Sequence, residues 1–207
     1  MTIIQALILS VIEGVTEFLP VSSTGHLILA GSLLKIPSTD FVKSFEIAIQ
    51  LGAILAVVGL YWQKLFTNTK LWLPLIAGFL PTAAVGLVGY SFIKHNLLGN
   101  TTVVLWSLGI GGGVLLFIDK LVGGKQKSLT TLSWKDAVVI GAFQAISVVP
   151  GVSRAAATII GGLVAGLERK LAVEFSFLLA IPTMMAATGL DLVKSGWGFS
   201  SSEWLLL

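Results

Sequence analysis

Long apolar runs, interrupted only briefly, set the pattern of this chain. A bilayer core takes about 20 apolar residues of helix to cross. Four stretches meet that length: Phe45 to Trp62, Leu71 to Phe92, Val103 to Ile118 and Glu174 to Leu192. Two further runs are apolar but broken. Ile3 to Leu19 stops at Pro20 and resumes from Gly25 to Leu34, and Ala137 to Val149 stops at Pro150 and resumes from Ala155 to Leu167. Each piece is short for a full crossing. A proline-centred break rich in Ser, Thr and Gly exposes backbone amides, which membrane depth tolerates only inside protein or beside water. Both broken runs therefore read as re-entrant helical hairpins.

Composition agrees with burial in lipid. Of 207 residues 55% are hydrophobic and 11% charged, with a mean hydropathy of +0.95. A soluble domain carries about 25% charge to cover its surface. The absence of cysteine excludes disulfides, zinc knuckles and a thiol nucleophile. The net charge of +3 sits at the ends of apolar runs, which suits membrane orientation rather than nucleic acid. No basic segment precedes Ile3, and Glu13 and Glu17 interrupt the first run, so a cleaved signal peptide is not expected.

The broken segments resemble one another. An offset of 130 residues carries Pro20 onto Pro150, Ser23 onto Ser153, Phe45 onto Phe175, Ala56 onto Ala186, Gly59 onto Gly189 and Leu60 onto Leu190; one gap near Thr16 also pairs Glu13 with Gln144. Lys64 and Lys70 share one loop and Lys120, Lys125, Lys127 and Lys135 another, with Lys94 on the side between them. The positive-inside rule makes the two basic loops cytoplasmic, although Lys35 and Lys43 then fall outside. The second hairpin starts three crossings after the first, so the two copies are inverted. The predicted fold is thus all-α: a polytopic integral membrane protein in a single membrane domain, 1–207, with repeat one at about 1–122 and repeat two at about 133–207. Two crossings of the first copy lack counterparts before Leu207, so the sequence reads as clipped at its C-terminus.

Chemistry concentrates at the breaks. Glu13 and Glu17 share a helix face, and adjacent carboxylates in hydrocarbon call for a divalent cation or a shared proton; a polar contact between helices is the plainer alternative. After Pro20 come Ser22, Ser23, Thr24, Gly25 and His26, more than one N-cap requires, at a helix start suited to anions. The second break offers Gly151, Ser153, Arg154 and Thr158. Arg154 has no acidic neighbour in sequence; its guanidinium suits phosphate or an ion pair with Glu13, Glu17 or Glu46. Glu46 and Gln50 repeat the four-residue spacing as further polar contacts. His95 reads as a solvated loop residue, and Gly111, Gly112 and Gly113 as close helix packing.

The run Glu13-Gly14-Val15-Thr16-Glu17-Phe18-Leu19-Pro20-Val21-Ser22-Ser23-Thr24-Gly25-His26 resembles the BacA-type undecaprenyl pyrophosphate phosphatase family, as do Pro150, Gly151, Ser153, Arg154 and Thr158. The likeness continues through Phe45-Glu46, Gln50-Leu51-Gly52 and Glu174 to Pro182. The chain departs from it at Ala155 and Ala156, where the family usually has Ser and Gly. The resemblance implies hydrolysis of undecaprenyl pyrophosphate to undecaprenyl phosphate and inorganic phosphate, recycling the cell-wall lipid carrier and conferring bacitracin resistance. It implies a divalent cation (Mg2+ or Ca2+) on Glu13 and Glu17, and a bacterial inner-membrane site facing outward. On this reading Arg154 clamps the pyrophosphate and Ser23 is the nucleophile, with His26 or Glu17 taking its proton; the competing version makes His26 the nucleophile. Ser22, Thr24, Ser153 and Thr158 would donate to phosphate oxygens, with Gly25 and Gly151 in the binding turns. Expected partners are the prenyl pyrophosphate lipid and membrane lipid but no nucleic acid, with a homodimer left open. A transporter or lipid flippase on an inverted repeat is the alternative.

Overall fold

A computed structural model describes residues 1–121, 127–195, 198–204 and 206; Lys125 and Leu207 lie outside the described residues. The described residues form helices and short turns, with one isolated bridge between Lys127 and Leu167 in place of any strand. The helices are α1 (Ile3–Thr16), α2 (Ser23–Leu33), α3 (Asp40–Thr67), α4 (Trp72–Phe92), α5 (Thr101–Leu121), α6 (Trp134–Ile146), α7 (Arg154–Val164), α8 (Arg169–Ser195) and a short α9 (Ser201–Trp204).

Among the described residues four helices are long and apolar enough to cross a membrane: Asp40–Thr67, Thr69–Leu97, Thr101–Ile118 and Arg169–Lys194. These are the four runs expected from the sequence, lengthened at their ends, so the chain is a multi-pass membrane protein. The helices flanking the two breaks are short. At roughly 1.5 Å per residue, α2 and α7 reach only about 17 Å, little more than half a hydrocarbon core.

Burial is distributed as lipid solvation demands. Ile4, Leu7, Val11 and Val15 of α1, Leu73, Leu80 and Val88 of α4, and Trp106, Leu116 and Phe117 of α5 are exposed, while Glu13, Glu17, Ser23, Glu46, Lys94, Gln144, Arg154 and Asp191 are buried. Carboxylates and cations are costly in hydrocarbon, so they turn inward. Apolar side chains also fill the gaps between helices. Leu75, Ile140, Phe175 and Leu179 join α4, α6 and α8; Leu9, Leu27, Phe41 and Phe45 join α1, α2 and α3. The backbones of α4 and α6 nearly touch. A Cβ on Gly141 would lie 2.1 Å from the Gly78 carbonyl oxygen, so only glycine permits this crossing.

Helices α3 and α8 run antiparallel. Lys64 near the end of α3 pairs with Glu174 near the start of α8, while Ser44 near the start of α3 accepts from Lys94, which pairs with Asp191 near the end of α8. The turns Thr69–Leu71 and Leu129–Thr131 adjoin one another at the Lys64 end.

Two expectations are corrected here. His95 is not a loop residue: it lies, with the 5%-exposed Lys94, in a π-helical turn, Ile93–Leu97, that extends α4. Gly111, Gly112 and Gly113 pack against nothing, since a Cβ at each would meet open space. Their helix, α5, is the least buried of the four spans, so the small-residue stripe faces away from the bundle. His95 is exposed, in line with its reading as a solvated residue.

Candidate active site

Both breaks solve the same backbone problem in the same way. A helix start leaves amide groups unpaired, and a serine hydroxyl satisfies one of them. Ser22 caps α2 by accepting from the Gly25 amide at 3.2 Å, and Ser153 caps α7 by accepting from the Ala156 amide at 3.1 Å. This capping shifts the register between the hairpins by one residue relative to the sequence offset: Ser153 is matched by Ser22, and Arg154 by Ser23.

Backbone strain marks both turns. Ser22 has φ of 64°, uncommon for a residue with a side chain. Gly151 has φ of 91°, and a Cβ there would lie 2.8 Å from the Val104 carbonyl oxygen and from the Ser107 Cβ. Gly25 is held closely too: its Cβ would meet the Ser22 hydroxyl at 3.2 Å and Leu108 at 3.4 Å.

Ser23 and Arg154, the first residues of their helices, converge on one acid. The Ser23 hydroxyl donates to Glu17 Oε2 and the Arg154 guanidinium donates through Nη2 to Glu17 Oε1. Glu17 belongs to the first hairpin and Arg154 to the second, so this contact ties the two breaks together. Arg154 also donates through Nη1 to the Ser176 carbonyl at 3.1 Å, while its Nε is buried without a partner. All three side chains are at most 9% exposed.

These groups line a cavity of about 370 Å³, together with Ser22, Thr24, Gln50, Thr82, Ser153 and Thr183. Gln50 donates to the Thr24 hydroxyl at 3.3 Å. The cavity continues along α4 and α8, past Leu87 and Leu190, to Tyr90 and Lys94.

The remaining expected residues lie off this wall. Thr158 is 1% exposed; its hydroxyl serves the Arg154 carbonyl at 2.9 Å and the Ser176 hydroxyl at 2.5 Å, holding α7 against α8. Gly25 and Gly151 shape the turns behind the wall. His26 Nδ1 lies 2.8 Å from the Ser22 carbonyl, and its ring borders a separate apolar groove with Val11, Ile12, Val15 and Leu29. The imidazole thus supports the Ser22 turn from behind.

Glu13 is 1% exposed, and neither of its oxygens makes a hydrogen bond. Glu17, Ser23 and Arg154 lie within electrostatic reach of it. Buried carboxylate oxygens without donors are expensive, and a hard cation would satisfy them. No group of three or more His, Cys, Asp or Glu side chains gathers among the described residues. The site therefore offers two carboxylates, the donor set that Mg2+ uses when phosphate oxygens complete its shell.

Sequence reasoning missed the polar side chains at the far end of the cavity. Lys94 Nζ pairs with Asp191 at 2.5 Å and donates to the Ser44 hydroxyl at 3.2 Å and the Tyr90 hydroxyl at 3.3 Å, and Tyr90 donates to Asp191 at 2.8 Å. The signal was present: Asp191 is an acid inside the last apolar run.

Residues 6–207 match the family described as Bacitracin resistance protein BacA. A protein of Aquifex aeolicus named undecaprenyl-diphosphatase is 52% identical over 212 aligned positions, covering 100% of this chain and 82% of its own length. Proteins of the same name from Wolinella succinogenes and Bdellovibrio bacteriovorus are 50% and 48% identical, covering 94% of this chain and 77% and 74% of theirs. With a match over residues 6–207 and relatives of about 50% identity across nearly the whole chain, the chain belongs to the BacA family.

Proposed function

We propose that this protein is a membrane phosphatase that hydrolyses undecaprenyl diphosphate to undecaprenyl phosphate and orthophosphate in the bacterial plasma membrane. Its family name ties it to bacitracin resistance. The observation that carries the reading is the convergence of Ser23 and Arg154 on Glu17 inside a cavity between lipid-facing helices.

Phosphoryl transfer is mostly positioning and neutralisation of charge. Arg154 releases Glu17 as the diphosphate enters and turns its fork, Nε included, to the terminal phosphate. Glu17 then accepts the Ser23 proton. Ser23 Oγ attacks the terminal phosphorus, the bridging P–O bond breaks, and undecaprenyl phosphate leaves. Water then cleaves the phosphoserine, releasing orthophosphate and restoring the hydroxyl. Ser22 and Thr24 donate to the phosphate oxygens. Glu13 and Glu17 are the residues that would hold a divalent cation, Mg2+ or Ca2+, which supplies further neutralisation of phosphate charge. His26 is a positioning residue on the Ser22 carbonyl.

The antiparallel course of α3 and α8, which the 130-residue offset relates, supports the inverted repeat. The basic residues Lys64 and Lys70 at one end support an outward-facing site, because the cavity runs toward the opposite end.

The test is orthophosphate release from a prenyl diphosphate by protein in detergent, with acid-quenched protein digested and searched for phosphoserine. A phosphopeptide containing Ser23 supports the mechanism. Phosphohistidine at residue 26, or turnover by the Ser23→Ala protein, overturns the assignment.

A further inference from the structure

Two cationic side chains line the cavity among its described residues, Arg154 and Lys94. They stand far apart. The Arg154 guanidinium is level with the Ser176 carbonyl and Lys94 is level with Asp191, about 22 Å further along α8 at roughly 1.5 Å per residue. Between them the walls are largely apolar: Gly86 and Leu87 from α4, Ala186, Ala187 and Leu190 from α8.

Lys94 is placed there deliberately by the backbone. The π-helical turn Ile93–Leu97 closes with the Leu98 amide donating to the Ile93 carbonyl at 2.9 Å. Such turns cost hydrogen-bond quality and concentrate at functional positions. The lysine that results is 5% exposed and held by Asp191, Tyr90 and Ser44, from α8, α4 and α3. A buried ion pair is weak support for folding, since apolar side chains of similar size often serve as well. A buried cation within a membrane-spanning helix, here near the end of Thr69–Leu97, is by default a functional-site hypothesis. Arg154 shows the same arrangement: a cation resting on a carboxylate at the cavity wall.

We infer that Lys94, with the Tyr90 and Ser44 hydroxyls, forms a second site for phosphate-class anions at the far end of the cavity, distinct from the Arg154 site. Asp191 holds the ammonium when no anion is present. The anion has two sources: the diphosphate headgroup on its way in, or orthophosphate on its way out. This inference builds on the diphosphatase reading.

The test uses the full chain in detergent and two variants. In the first, Lys94→Met with Asp191→Leu, the pair is exchanged for apolar side chains that keep α4 packed on α8. In the second, Asp191→Asn, the lysine loses its resident acid. For each, KM and kcat for a prenyl diphosphate and the inhibition constant of inorganic phosphate are measured. The anion site predicts that the paired variant raises KM, the phosphate inhibition constant or both by about tenfold, the worth of one charge-assisted hydrogen bond, with kcat little changed. A shift in KM alone identifies the incoming headgroup; a shift in phosphate inhibition alone identifies the outgoing product. Asp191→Asn shifts the same constant in the opposite direction, toward tighter binding. A purely structural pair predicts wild-type constants in the paired variant and weaker folding in Asp191→Asn. Constants within twofold of wild type in both proteins overturn the inference, and if the paired variant does not fold, the direction of the Asp191→Asn shift decides. Should the wild-type protein release no phosphate, the diphosphatase reading fails instead. Protection of the wild type from thermal unfolding by inorganic phosphate, weakened in the Lys94 variant to what the Arg154 site still provides, then tests the anion site separately.

Discussion

Replacing Arg154 with lysine separates charge from geometry. The positive charge remains, but the fork does not. Arg154 spans two partners, Glu17 just past the end of α1 through Nη2 and the Ser176 carbonyl of α8 through Nη1 at 3.1 Å, and keeps Nε in reserve. A lysine ammonium is a single point on a flexible stem and cannot hold a carboxylate, a carbonyl and a phosphate in a fixed plane. The site loses at least one charge-assisted hydrogen bond, about 1.5 to 3 kcal/mol. Since each 1.4 kcal/mol is about tenfold, kcat/KM should fall about ten- to hundredfold. Folding suffers less, because Glu17 keeps a cation beside it. The assay is orthophosphate release in detergent over a substrate series, with thermal unfolding of the same preparation as the control for packing. Arg154→Met should lose more, since the buried Glu17 is then left without its partner. An Arg154→Lys protein with kcat/KM within threefold of wild type would show that the guanidinium geometry plays no part, and the phosphate clamp would have to be abandoned.

Other outcomes follow from the same geometry. Glu13→Gln removes the charge that the two-carboxylate cation site needs. The divalent-cation concentration for half-maximal activity should rise about tenfold or more, in a metal titration from chelator-treated protein. Gly151→Ala places a Cβ 2.8 Å from backbone and forces a φ of 91° on a side-chain-bearing residue. Its melting temperature should drop with a loss of at least about 1 kcal/mol, whereas Gly111→Ala, in open space inside a helix, should hold or raise it. His26→Ala frees the Ser22 carbonyl and should lower kcat about tenfold with little change in KM; a raised KM instead would place the imidazole against substrate.

The crossings and the breaks were readable from the chain because both depend on local composition. Twenty apolar residues need lipid, and Pro20 or Pro150 must interrupt a helix. The first motif was readable because Glu17, Ser22 and Ser23 lie within one turn-and-helix unit. The pairing of Arg154 with Glu17 spans 137 residues and was one of several partners the sequence left open; only the packing of two hairpins selects it. His26, three residues after Ser23, shares its side on simple helix spacing, yet its ring lies against the Ser22 carbonyl and borders the groove of Val11 and Leu29, a placement that spacing alone does not give. Lys94 was hidden by its neighbours: beside His95 and Asn96 it reads as a loop end, and only the extra residue of a π-helical turn brings it into the bundle.

The two buried ion pairs carry a common argument. A soluble enzyme can leave an empty anion site to water, which solvates the waiting cation. A cavity between apolar helices offers little such solvation, and an unpaired arginine or lysine there would be severely destabilising. Each waiting cation therefore needs a resident acid: Glu17 for Arg154, Asp191 for Lys94. The acid must also give way when the anionic headgroup arrives, so the pair cannot be so strong that exchange is unfavourable. On the proposed mechanism the exchange at Glu17 would serve a second purpose, because release from Arg154 would leave the carboxylate free to take the Ser23 proton. Binding of the headgroup and activation of the nucleophile would then be one event on that mechanism: the serine would stay quiet until a phosphate displaced the arginine from the acid beside it.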